Sequence, residues 1–283
     1  MYAELLAVVA SFCTALSSVM ATRGMMDTDV DSANLILTGT QTAALTLLLL
    51  GDIPDVNIVG LIWFALAGLF TSFIGRVFTL NSYKRIGVST GNAIIGTSPL
   101  VVTILAFLFL GEPFVPSILF GSLLVVGGIV LVNTKGGRLS LDVDSLYLPM
   151  GASLMFAIGN ILRKLGTNAL PHSVLGAQFS SMAGLAACVV YMGAKGNLRL
   201  NVERKAMNWL VISGIINAFA WIALTTAISL GKVSVMSAII YSFPLFSVVL
   251  ARFMLKDSES LTRNVVLGCV LIVIGVVLVS LLG

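Results

Sequence analysis

Apolar residues fill this chain in long blocks, each closed by a short cluster of charge, proline or glycine. Ten such blocks lie near 3–22, 32–51, 58–83, 88–110, 115–133, 146–165, 173–194, 208–230, 233–255 and 262–282. A helix needs about 20 mostly apolar residues to cross the hydrocarbon core of a bilayer. The pattern therefore predicts an all-α polytopic membrane protein with ten transmembrane helices. The connections are mostly short and leave little chain for a soluble domain. The first block, Ala3 to Ala21, has no basic residue before it, only Glu4. It also exceeds the roughly 7–15 apolar residues of a secretory leader, so it reads as a retained span.

Composition agrees. Of 283 residues 58% are hydrophobic and only 10% charged. A soluble domain carries roughly 25% charged residues to cover its surface, so the excess apolar surface must face lipid. The net charge of +4 does not point to nucleic acid, because the basic residues are scattered singly or in pairs between apolar blocks. Such residues usually set orientation in a membrane. Cys13, Cys188 and Cys269 lie in apolar blocks far from His172, the only histidine, and show no metal or disulfide spacing. No cofactor is expected.

The chain also repeats itself. "GNAIIGTSPLVVTILAFLFLGE" (Gly91 to Glu112) returns as "MSAIIYSFPLFSVVLARFMLKDSE" (Met236 to Glu259). "ALSSVMATRG" from Ala15 matches "AIGNILRKLG" from Ala157, and "GSLLVVGGIVLV" from Gly121 reads against "GCVLIVIGVVLV" from Gly268. The repeat unit holds five spans, residues 1–134 and 145–283, joined by a linker at 135–144. Five is odd, so the second copy must cross the membrane in the opposite sense. Inverted repeats of this kind characterise many secondary transporters.

Loop charge carries the orientation. Loops after odd-numbered spans hold Arg23, Lys84, Arg85, Lys135, Arg138, Lys195, Arg199, Arg204, Lys205, Lys256 and Arg263. Loops after even-numbered spans are read as holding Arg163, Lys164 and Lys232. Basic loops stay cytoplasmic, which places the odd loops inside and both termini outside.

Ten spans in two halves, with "FLGEPFVPSILFGSLLVVGGIVLV" closing the first, resemble the drug/metabolite transporter superfamily, EamA type. The Leu110-Gly111-Glu112 sequence before a short loop and a glycine-rich last helix carries the resemblance. In the second half "LKDSESLTRNVVLG" keeps Glu259 but has Ser258 before it. The resemblance implies a basket of ten helices with spans 1, 3, 4, 6, 8 and 9 around a central cavity. Spans 5 and 10 would serve packing or association, including a homodimer. It further implies transport of small metabolites across the cytoplasmic membrane, commonly export of amino acids or related compounds.

The paired segments contain Pro99 and Pro244. Proline removes a backbone donor and crowds the carbonyl one turn earlier, so spans 4 and 9 should bend there. Thr97 and Ser98 stand where they can satisfy the freed carbonyl. Two opposed hinges for alternating access, or two fixed kinks that shape the bundle, both fit this pattern.

Polar residues at membrane depth are the candidates for substrate contact. Arg76 lies about eight residues, roughly 12 Å, inside the Lys84-Arg85 boundary. A charge at that depth is expensive and should face a cavity with a partner. Its planar fork suits a carboxylate or phosphate; snorkelling or a bond to backbone carbonyls is the structural alternative. Asn81, Tyr83, Asn92, Phe156, Asn160, Asn217, Trp221 and Tyr241 join it, with Ser11, Thr14, Ser18 and Ser237 as further lining. For each, an interhelical bond or a packing role stands beside contact with a ligand.

The apolar cores hold no Asp or Glu, whereas proton-coupled export of cationic drugs normally needs a titrating buried carboxylate. This favours a neutral, zwitterionic or anionic substrate over multidrug or cation efflux. No Gly-x-x-x-x-Gly-Lys-Ser/Thr sequence is present to bind ATP. A lone histidine beside Pro171 gives no dyad for an intramembrane enzyme. No charged ring or carbonyl filter suggests a channel. A secondary carrier is the leading reading; a scaffold or enzyme is the remaining alternative.

Overall fold

The computed structural model describes residues 2–26, 28–50, 56–113, 115–132, 146–196, 202–254 and 263–282. Charges at Lys135, Arg138, Arg199, Lys256 and Glu259 lie outside these residues. The helices are α1 (Tyr2–Gly24), α2 (Val30–Leu49), α3 (Ile58–Gly68), α4 (Arg76–Ile86), α5 (Val88–Ile95), α6 (Ser98–Leu110) and α7 (Pro116–Val132). The second half follows with α8 (Tyr147–Ala169), α9 (Ser173–Ala194), α10 (Arg204–Leu230), α11 (Val233–Ile240), α12 (Phe243–Met254) and α13 (Arg263–Leu282). A π-helical segment, Leu69–Gly75, joins α3 to α4 without a break, so Ile58–Ile86 crosses as one helix. With α5–α6 and α11–α12 each counted as one broken span, the described residues form the ten crossings that the apolar blocks predict.

The two broken spans correct the expected position of the bend. α5 ends at Ile95 and α6 restarts at Ser98, with Pro99 in its first turn. α11 likewise ends at Ile240 and α12 starts at Phe243, immediately before Pro244. The breaks thus fall at Gly96-Thr97 and Tyr241-Ser242, ahead of the prolines. The reason is donor accounting: a first-turn N–H has no intrahelical acceptor, so proline loses nothing there. The expected hydroxyl compensation is present. Thr97 Oγ1 donates to the Ile94 carbonyl and Ser98 Oγ to that of Ile95, both at 2.7 Å. Ser242 Oγ repeats the bond to Ile239 at 2.7 Å.

Most of the close packing joins one half to the other. α1 lies along α10 and α12, α2 along α9 and α10, α3 along α8 and α9, and α7 along α13. Neither half therefore has a core of its own. In the α7–α13 crossing, a Cβ at Gly128 would stand 2.5 Å from the Gly268 carbonyl oxygen, and one at Gly275 2.6 Å from that of Gly121. Small residues let the two backbones approach this closely, as membrane helix pairs require. Of the Gly127-Gly128 pair only the second is at the contact; nothing lies within 4 Å of Gly127 on that measure. We expect Gly128→Val to cost about 1–3 kcal/mol by forcing the helices apart, and Gly127→Val to be near neutral. Thermal unfolding of the two purified variants checks this.

All three cysteines are free thiols, Cys188 buried and the other two half-buried.

Candidate functional site

A cavity of about 850 Å³, its mouth included, lies between the halves. α1 contributes Thr14, Ser17, Ser18 and Ala21; the third span contributes Thr71, Arg76, Thr79, Leu80 and Tyr83. From the second half come Phe156, Asn160 and Arg163 on α8, Asn217, Trp221 and Leu224 on α10, and Ile240, Tyr241 and Phe243 at the α11–α12 break. Of the residues expected from the sequence, Arg76, Tyr83, Phe156, Asn160, Asn217, Trp221 and Tyr241 meet here, with Thr14 and Ser18. Among the described residues, no carboxylate lines the cavity.

Arg163 is the largest correction. The charge pattern places it in a loop, but α8 continues to Ala169 and carries Arg163 inside the bundle, only 1% exposed. Lys164 is helical too, as are Arg23, Lys84, Arg85, Arg204, Lys205 and Arg263 among the charges read into odd loops. The Arg163 guanidinium lies over the Trp221 ring, 4.4 Å from its centroid. Its Nη1 donates to Asn160 Oδ1 at 3.1 Å, while Asn160 Nδ2 donates to the Tyr241 hydroxyl at 3.2 Å. Arg163 Nε and Nη2 are buried with no hydrogen-bond acceptor.

Arg76 has the partners that its depth demanded, and all are neutral. Nη1 donates to Thr38 Oγ1 at 3.2 Å and Nη2 to Gln41 Oε1 at 2.9 Å. Gln41 Oε1 also accepts from Asn217 Nδ2 at 2.8 Å. One buried amide thus ties the third span to α10, and the Arg76 charge is hydrogen-bonded but not cancelled. Neither Thr38 nor Gln41 was singled out from the sequence. The signal was there: Asn34, Thr38, Gln41 and Thr42 follow helical spacing through an otherwise apolar block, a polar stripe that must face protein rather than lipid.

A family model for the EamA-like transporter family matches residues 1–134 and 145–281. The chain belongs to this family. A Bacillus subtilis (strain 168) protein, the uncharacterized transporter YvbV, is 23% identical over 198 residues, 67% of this chain and 62% of that relative. The chain therefore matches less than two thirds of that relative's length. A known crystal structure superposes at a TM-score of 0.74 over 98% of this chain and 96% of its own, at 15% identity. That likeness shows the fold. The family match thus places this chain in a family of multi-pass membrane transporters.

Two apolar clusters bound the cavity. Leu224 and Ile240 belong to one that continues through Ile228, Val233 and Met236; Leu37, Leu80, Ile95 and Phe243 belong to the other. At the end of the first cluster Glu112 reaches across the repeat boundary to the start of α11. Its Oε1 accepts from Val233 N–H at 2.6 Å, and its Oε2 from the N–H of Ser234 at 3.2 Å and the hydroxyl at 2.5 Å. A carboxylate there also meets the positive end of the helix dipole. Beside it Lys164 Nζ donates to the carbonyls of Ile228 and Gly231, at 2.8 and 3.0 Å, closing the end of α10. The Leu-Gly-Glu sequence that carries the family resemblance therefore supplies a latch between halves.

Four expected residues stand elsewhere. Asn81 is not in the cavity wall; its Nδ2 donates to the Val77 carbonyl one turn back, 2.8 Å away. Asn92 lies behind the wall, accepting from the Tyr83 hydroxyl at 2.5 Å and donating to Ser247 Oγ at 3.2 Å. This joins the third span to α5 and α12. Ser11 and Ser242 share a hydrogen bond of 3.3 Å between α1 and the α11–α12 break. Ser237 is buried on α11, outside the cavity wall.

Proposed function

We propose that this protein is a secondary transporter that moves a small polar metabolite, an organic anion or zwitterion, across the cytoplasmic membrane by alternating access of its two halves, in the direction of export. The observation that carries the reading is the cavity between the halves. It holds two buried guanidinium groups and no carboxylate among the described residues. A cationic drug would meet uncompensated positive charge there, whereas a carboxylate would relieve it. Phe156, Trp221, Tyr241 and Phe243 offer an apolar wall for the rest of such a molecule.

Counterflow in proteoliposomes preloaded with mixed amino acids and organic acids tests the reading. Saturable exchange of at least one compound is expected, reduced about 100-fold in Arg163→Ala, the loss typical of stranding a desolvated charged partner. Absence of exchange, or exchange only of organic cations, would overturn it.

A further inference from the structure

We infer that the Nε–Nη2 edge of Arg163 is the anion-binding subsite of this cavity, and that the site takes small organic acids lacking an amino group in preference to the matching amino acids. The inference rests on the carrier reading for its place in transport, but not for the binding itself.

A guanidinium presents its donors in fixed pairs. The pair formed by Nε–H and one Nη–H points along a single edge and matches the two oxygens of a carboxylate. In Arg163 the rest of the group is held in place. Nη1 donates to Asn160 Oδ1, one face lies on Trp221, and Asn160 is itself held by its bond to Tyr241. The remaining edge is buried and has no acceptor. Buried charged groups are ordinarily satisfied by hydrogen bonds, and a rigidly held arginine with one unpartnered edge in a cavity wall is prepared for a planar oxyanion. Arg76 differs: both of its Nη groups already donate within the protein, to Thr38 and Gln41. Sequence depth singled out Arg76, but the side-on pair of nitrogens with neither member hydrogen-bonded belongs to Arg163.

Exclusion of the amino group follows from charge. An α-ammonium sits about 3 Å from its own carboxylate, so docking the carboxylate on Arg163 brings the ammonium into the same cavity. There Arg163 and Arg76 both repel it, and Arg76 keeps its full charge because its partners are neutral. Among the described residues no lining carboxylate offsets this. Trp221, the nearest aromatic face, is shared by the two guanidiniums, at 4.4 Å for Arg163 and 5.9 Å for Arg76. The apolar side chains of Phe156, Ile240 and Phe243 suit a hydrocarbon body.

Trp221 gives a direct readout. With Trp63→Phe and Trp209→Phe it is the only tryptophan left, and its emission reports on ligands beside Arg163. Purified protein is titrated with two pairs, propanoate against alanine and 3-phenylpropanoate against phenylalanine. At least one acid of the two should change Trp221 emission saturably, with its amino acid requiring about tenfold or more concentration, the separation that one unfavourable charge contact provides. Arg163→Lys keeps the charge but lacks the paired edge, and is expected to weaken the acid about 100-fold in protein that still unfolds cooperatively. The inference is overturned if neither acid binds, if the amino acids bind as well as the acids, or if Arg163→Lys binds unchanged. Counterflow with the same compounds separates the two readings. Arg163-dependent binding without exchange removes the carrier and keeps the subsite. Amino-acid exchange unaffected by Arg163→Lys keeps the carrier and removes the subsite.

Discussion

Replacing Glu112 with alanine is expected to open the cavity from the end that carries the latch, raising thiol labelling of a cysteine placed at Leu224 about 100-fold. The carboxylate holds three donors on α11, Val233 N–H, Ser234 N–H and the Ser234 hydroxyl. Hydrogen bonds to a charged acceptor contribute about 1.5–3 kcal/mol each net of water. Allowing for their shared geometry, the latch as a whole is worth roughly 3 kcal/mol, or about two factors of ten in an opening equilibrium. Glu112 belongs to the first half and α11 to the second, so the bonds must break if the halves part at this end. The measurement uses a membrane-impermeant maleimide on protein with Cys13, Cys188 and Cys269 changed to serine. Glu112→Gln should fall between, because an amide oxygen still accepts but lacks the charge. Unchanged labelling would mean that the apolar cluster around Ile228 and Met236 holds this end shut unaided.

Gln41→Leu is expected to lower the unfolding midpoint of the purified protein by roughly 6–10 °C. The change removes one buried oxygen that accepts from both Arg76 Nη2 and Asn217 Nδ2. Leaving a buried charge without its acceptor costs about 3 kcal/mol or more. The decisive comparison is the double variant Arg76→Met with Gln41→Leu. Taking away the charge together with its acceptor should recover more than half of the loss, because nothing costly then remains unpaired. A double-mutant cycle gives the coupling. Additive losses would show that Gln41 acts by packing alone. Counterflow on the same variants separates stability from transport, since Gln41 lies outside the cavity wall.

The cavity's second-half wall shows why charge at the end of an apolar block is hard to place. Arg163 and Lys164 follow sixteen residues of mostly apolar chain and precede Pro171, a pattern that predicts a loop. A helix of 23 residues runs past both because the cavity supplies polar neighbours that lipid would not. Asn81 errs in the opposite sense. It sits two residues from Tyr83 and from Thr79, which both line the cavity, yet its own side chain bonds back along α4. The π-helical segment before Arg76 widens the turn and shifts the phase of all that follows, so a face projected from α3 does not continue into α4.

The ten spans, the inverted repeat and the cost of an arginine at membrane depth were all legible in the chain. They rest on short-range physics: hydrocarbon thickness, the solvation of charge, and the parity of a five-span unit. The hydroxyls of Thr97 and Ser98 were legible for the same reason, because their acceptors lie one turn away in the same segment. Tertiary structure decided which guanidinium has unpartnered nitrogens and which is bound by Gln41. It also decided that Glu112 reaches α11, 121 residues along the chain. Those outcomes depend on how two halves without separate cores fit together, and a side chain's direction across that interface is set by packing over the whole bundle.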